Sequence, residues 1–296
     1  MKRIGLVVLV GLMLCLGTTL FAGLEEADDL YNQGKYAEAL AEYQNALPTL
    51  SGEDASLTQF HIGLCLQAQE KYNEAIAEYQ KVSAIPNAHP HHISGAQWHI
   101  GCCLEAQGKY DEALVEYKKV STIPNAHPHY ISGAQCSIGY CLEMQKKYDE
   151  AILEYQKVSA IPNVNPYYIS NAQWHIGYCL EMQKKYDEAI LEYQKVSAIP
   201  NAHPYNVSSA QYRIGLCLEA QGKYDEAQQY YLAICRREGT DLYLYKLAFS
   251  KINKTKLGRD GYIKLLQDMI FIIPATQENA EFLGILKSEL KKLGVE

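Results

Sequence analysis

The chain has 296 residues, 48% hydrophobic and 21% charged, with 27 basic against 34 acidic residues and a formal charge of −7. This composition excludes a mainly disordered chain, a collagen and a polytopic membrane protein. The acidic balance argues against nucleic acid as a partner, because proteins that track phosphate backbones are usually basic.

In chain order, Met1-Lys2-Arg3 is a short basic stretch and residues 4–16 form an apolar run. Followed by Gly17-Thr18-Thr19-Leu20-Phe21-Ala22, this pattern predicts a signal peptide over residues 1–22, cleaved after Ala22. Two other readings compete with it. Residues 4–24 are long enough to remain as a membrane anchor. Cys15 offers a lipidated N-terminus, against which stands Leu14, where lipoprotein signals carry a small residue.

The body is one motif copied about six times. Tyr36, Tyr72, Tyr110, Tyr148, Tyr186 and Tyr224 are spaced by 36 and then by 38 residues, each inside Lys-Tyr-x-Glu-Ala. Seven residues after each stands a second tyrosine, from Tyr43 to Tyr231. Before the later five stand Cys65, Cys103, Cys141, Cys179 and Cys217, and two residues earlier Gly63, Gly101, Gly139, Gly177 and Gly215. The copying explains the 24 Tyr and 9 Cys. Each copy predicts two helices. In the first, Ala96, Ile100, Cys103, Leu104 and Gln107 share a face; in the second, Tyr110, Ala113, Leu114, Tyr117 and Val120 do. Gly108-Lys109 separates them, and Ile123-Pro124-Asn125 ends the second. A two-helix unit cannot bury both apolar faces alone, so copies must stack. Beyond Gly239 the phase is lost, and residues 241–253, 260–273 and 276–293 predict three further helices.

The run Ile100-Gly101, Leu104, Gly108, Tyr110, Ala113, Tyr117 resembles the tetratricopeptide repeat. The resemblance implies an all-α, right-handed α-solenoid of about six such hairpins with a C-terminal helical cap. The expected organisation is a signal peptide (1–22), a repeat array of period 38 (24–238) and the cap (239–296). Two features depart from the family pattern. Gln59, Gln97, Gln135, Gln173 and Gln211 stand where an aromatic is usual, and the Ile-Pro-Asn-x-x-Pro linker lengthens the period. Both are similar to the long-linker arrays of bacterial envelope proteins, of the outer-membrane assembly lipoprotein and Tol–Pal-associated types. That implies a periplasmic or outer-membrane-associated protein, touching membrane only through an uncleaved or lipidated N-terminus.

Candidate sites divide into ladders, one residue per repeat. The five in-phase cysteines predict buried thiols, because stacked helices lie about 10 Å apart and disulfides need Cα atoms within about 7 Å. Cys102, Cys136 and Cys235 are out of series, and a bridge involving Cys136 stays open. His89, His127 and His203 precede prolines, as Asn165 does, and predict helix N-caps; His89-Pro90-His91-His92 also has the composition of a weak metal cluster. His61, His99 and His175 form a second ladder. The pairs Asp111-Glu112, Asp149-Glu150, Asp187-Glu188 and Asp225-Glu226 open the second helices, where the helix dipole favours anions. No catalytic set, metal site or cofactor motif is found, so the expectation is a non-enzyme.

The most informative ladder faces away from the core of the first helices. At 100° per residue, Phe60, Trp98, Cys136, Trp174 and Tyr212 share a stripe with Leu64, Cys102, Tyr140, Tyr178 and Leu216, and with Gln67, Glu105, Glu143, Glu181 and Glu219. The resemblance places this side on the concave groove. The candidate partner-binding residues are Phe60, Trp98, Trp174, Tyr212, Tyr140, Tyr178, Glu105, Glu143, Glu181 and Glu219. Aromatics beside carboxylates suit a peptide or helix with apolar anchors and basic groups, and would also suit a glycan or peptidoglycan. The structural alternative is that the rings pack between neighbouring helices and each Glu pairs with the Lys four residues on. The expected function is a protein–protein interaction scaffold in the cell envelope, with glycan binding as the alternative.

Overall fold

The computed structural model describes residues 23–295. The expected signal peptide and Cys15 lie outside the described residues. All regular structure among the described residues is helical. The helices are α1 (23–32), α2 (Tyr36–Ala46), α3 (Gly52–Ala68), α4 (Tyr72–Val82), α5 (Pro90–Ala106), α6 (Tyr110–Val120), α7 (Pro128–Met144), α8 (Tyr148–Gln156), α9 (Pro166–Met182), α10 (Tyr186–Ala198), α11 (Pro204–Ala220), α12 (Tyr224–Cys235), α13 (Leu242–Ser250), α14 (Lys254–Ile272) and α15 (Ala280–Lys292). They run as consecutive hairpins, an α-solenoid, and fall into two compact units, one ending at Gln145 and the other beginning at Lys146. In the first unit α5 packs between α3 and α7; in the second α11 packs between α9 and α13. Each of α4, α6, α10 and α12 packs on its own first helix and on the next one.

The repeated Gly–Tyr pair shows why the hairpins close so tightly. A Cβ added to Gly101 would sit 2.4 Å from the ring of Tyr117, and the same holds at 2.6 Å for Gly177 and Tyr193. The tyrosine ring therefore lies directly on the first-helix backbone, and Tyr79, Tyr117 and Tyr193 are each 1% exposed. The glutamines that replace the family aromatic fasten the same hairpin. Gln97 Nε2 donates to the Glu116 carbonyl (3.1 Å) and carboxylate (2.7 Å), and Gln173 treats Glu192 in the same way.

Turns follow the punctuation. The turn between paired helices needs a left-handed residue, supplied by Gly108 (φ 74°) but by Lys184 (φ 61°) in a later copy. In the linker Asn125 takes that conformation (φ 56°), which asparagine tolerates better than most residues. His89 and His127 cap α5 and α7 by accepting on Nδ1 from the backbone N–H two residues on, at 3.2 Å, and Asn165 caps α9 at 2.8 Å. His203 makes no such bond. Serines join successive repeats: the N–H of His127 donates to Ser94 Oγ (3.3 Å), as that of His203 does to Ser170 (3.4 Å).

Two expectations shift in detail. α14 begins at Lys254, six residues before the expected start, and continues across a break at Gly258 (φ 67°). α15 begins at Ala280 rather than at Thr276, whose hydroxyl accepts from the N–H of Asn279 in the turn before it. The in-phase cysteines are buried thiols, and burial pushes Cys65, Cys103, Cys141 and Cys217 up to about 12. Cys102, Cys136 and Cys235 are thiols as well.

Candidate functional site

In the second unit, α9 presents Trp174, Tyr178 and Glu181 at successive turns of one face, the spacing at which helix side chains meet. The Trp174 and Tyr178 rings stack at 5.6 Å with 7° between their planes. Arg213 of α11 lies over both, 5.5 Å from the indole and 5.0 Å from the phenol, and donates to Glu181 at 3.1 Å. Glu181 also accepts from the Tyr193 hydroxyl at 2.7 Å. One carboxylate thus ties its own hairpin to the next. Glu219 repeats the device through Lys251, at 2.7 Å. Tyr212 is half-buried beside Tyr231, ring centres 5.6 Å apart.

In the first unit, Glu105 accepts from the Tyr117 hydroxyl at 2.8 Å, and burial raises its carboxyl above the ordinary value. Gln67 takes the corresponding place in the preceding copy, accepting from Tyr79 at 2.8 Å and meeting His99 Nδ1 at 3.0 Å. His99 packs between Phe60 and Tyr79 (5.3 and 5.4 Å), and burial pushes it down to about 4. Trp98 is half-buried against His99 and Tyr130, and Tyr140 is half-buried. Phe60 and Glu143 are each only 7% exposed, so a partner docking on the surface would reach the other eight candidates first.

In each unit the stripe is therefore a set of half-buried rings over carboxylates that the fold already uses. Glu105, Glu181 and Glu219 take their hydrogen bonds from Tyr117, from Tyr193 and Arg213, and from Lys251, not from the lysine four residues on. The acidic pairs opening the second helices also have partners. Gln145 donates to Asp111 (2.9 Å) and Gln221 to Asp187 (2.8 Å), joining one repeat to the next. Among the described residues no group of three or more His, Cys, Asp and Glu could hold a metal ion. No described helix is long and apolar enough to cross a membrane.

Two models of the tetratricopeptide repeat match the chain, one over residues 24–89 and the other over 96–123, 171–200 and 209–240, together more than half of it. The chain belongs to the tetratricopeptide-repeat family. Among solved structures it is similar to a tetratricopeptide repeat protein from Parabacteroides merdae, with a TM-score of 0.55, 15% identity, and coverage of 91% of this chain and 99% of that one. PilF of Pseudomonas aeruginosa gives 0.49 at 17% identity over 81% of this chain and 92% of that one. MamA gives 0.45 at 23% identity over 64% and 94%. At these identities the likeness is one of fold. No curated protein sequence matches the chain.

The tetratricopeptide phase also holds residues that the aromatic ladder alone does not single out. His61, His99, Ser137, His175 and Arg213 stand 38 residues apart, immediately after the stripe of Phe60, Trp98, Cys136, Trp174 and Tyr212, and Lys251 carries the same spacing past Gly239, where the sequence otherwise loses its phase. The signal was the histidine ladder itself. Following its phase past the last histidine leads to Arg213 and Lys251, whose cations seal the second unit's carboxylates.

Proposed function

We propose that this tetratricopeptide-repeat protein is a protein–protein interaction scaffold that binds a partner segment on the outward face of its first helices, and that it does so without catalysis in the bacterial cell envelope. The observation that carries the binding surface is the half-exposed aromatic row: Trp98 and Tyr140 in the first unit, Trp174, Tyr178 and Tyr212 in the second. Rings of this kind supply large contact area for little conformational entropy. With Glu181 and Glu219 neutralised by Arg213 and Lys251, the partner is selected by apolar or aromatic anchors more than by basic groups. The envelope location rests on the basic start, the apolar run and Ala22 of residues 1–22.

The test is a comparison of two variants for retention of envelope proteins. One carries Tyr140→Ala and Tyr212→Ala on the aromatic row. The other carries Val115→Ser and Leu191→Ser, at second-helix positions that are 55% and 59% exposed. Loss in the first alone supports the reading, and equal loss in both refutes it. Intact-mass measurement of the protein from envelope fractions tests the location. A mature N-terminus at Gly23 is expected, and an unprocessed cytoplasmic chain would overturn it.

A further inference from the structure

The sixth repeat departs from the others at one position that is half-buried in the earlier copies. Four residues after the tyrosine that opens each second helix stand Leu40, Ile76, Leu114, Ile152 and Ile190, but in α12 the residue is Gln228. Gln228 is 7% exposed, and no hydrogen bond among the described residues reaches its amide. It lines a cavity of about 210 Å³. Tyr231, one turn further along α12, lines the same cavity. It is 1% exposed, and its hydroxyl makes no close hydrogen bond among the described residues. In earlier repeats that hydroxyl is satisfied, Tyr117 by Glu105 and Tyr193 by Glu181. Here the equivalent Glu219 accepts from Lys251. Buried polar groups are rarely left unpaired. The Tyr231 hydroxyl is one such group, and beside it an unpaired amide lines the cavity where five other repeats place an aliphatic residue; together they mark a site built for a ligand.

The rest of the wall states the ligand's chemistry. Glu219 is matched by Lys251, and Asp225 by Lys256, so the pocket carries no net charge and a charged ligand would have to break an ion pair. Asn253 spends its Oδ1 on the N–H of Lys256 at the start of α14, leaving its amide hydrogens to donate. Tyr224, 67% exposed, offers a ring face among the lining residues. Mixed donors and acceptors suit hydroxyl groups, which do both, and the ring suits an apolar C–H face. The volume falls below the about 300–1,000 Å³ of pockets that hold drug-sized molecules, which limits the ligand to roughly a single ring. We propose that this pocket binds one neutral monosaccharide unit, with Gln228 and Tyr231 as its hydrogen-bonding groups. The site stands apart from the aromatic row and does not depend on the partner reading.

Saturation-transfer NMR on the full chain tests it, with D-glucose, D-galactose and N-acetyl-D-glucosamine as probes and glycine as the zwitterionic comparison. Transfer to at least one sugar and none to glycine is expected. Gln228→Ile restores the residue of α8 and α10, so it should fold, as circular dichroism would verify, and weaken binding about five- to tenfold. Tyr231→Phe removes only the orphan hydroxyl and should weaken binding similarly, and it carries the test if the first variant misfolds. Absence of transfer to all three sugars, transfer unchanged by both variants, or binding of glycine in their place would overturn the proposal.

Discussion

Single side chains set the pH response. Burial pushes His92 and His99 down to about 4, and it lowers His61, His91 and His129 as well. An unfolded histidine takes up its proton near pH 6.5. Between there and about 4 the unfolded chain therefore binds more protons at His92 and His99 than the folded one, and stability falls as pH falls, by up to about 1.4 kcal/mol per pH unit for His99. Glu105, whose carboxyl is raised, works weakly in the other direction. The urea midpoint should be lower at pH 5.0 than at pH 7.5, and His99→Gln should narrow the gap. Equal midpoints would show that these rings are solvated. The turn residue gives a second case. Lys184 holds φ at 61° where another copy uses Gly108. A left-handed L-residue costs about 1–2 kcal/mol, so Lys184→Gly should raise stability by up to about 1 kcal/mol in chemical denaturation, and Gly108→Lys should lower it.

At the scale of the helix pair, the Gly–Tyr contact and the carboxylate tie do the joining. Gly101→Ala would drive a methyl group into Tyr117, and overpacking of this kind costs about 1–3 kcal/mol. A thermal melt should show it, whereas Gly284→Ala, with nothing within 4 Å, should not be destabilised. Arg213→Ala removes a half-buried charged hydrogen bond and the cover over Trp174, with an expected loss of about 1.5–3 kcal/mol. Arg213→Lys should recover only part of it, because an ammonium lacks the planar guanidinium that stacks on rings. The helices themselves were legible in the sequence, because their apolar spacing repeats six times and their Ile-Pro-Asn stop four times. The N-caps were legible because Asn165 stands where His89 and His127 stand. The carboxylate ties were not. Glu105 and Tyr117 lie on different helices, and whether a glutamate turns to a lysine on its own helix or to a tyrosine on the next depends on packing that spacing alone does not express. The start of α14 was hidden for a similar reason, since Gly258 reads as a stop yet the structure continues through it.

For the whole molecule, stability in a stacked array is a sum of repeats and nearest-neighbour contacts, and some of the ties between neighbours are made by the residues beside the aromatic row. This links binding to folding. The carboxylates serve the fold, and the half-exposed rings are what remains to meet a partner. The candidate row was legible as a stripe at helical spacing. That Phe60 and Glu143 are buried was not, because their copies Trp98 and Glu181 in the same phase are less covered. The most direct measurement places a photo-crosslinking amino acid, one position at a time, at Tyr140, Tyr212, Val115 and Leu191 in cells, followed by identification of the joined proteins. The account predicts one and the same partner protein captured from Tyr140 and from Tyr212, with none from Val115 or Leu191. Capture of that protein from Val115 or Leu191, with none from the aromatic row, would contradict it.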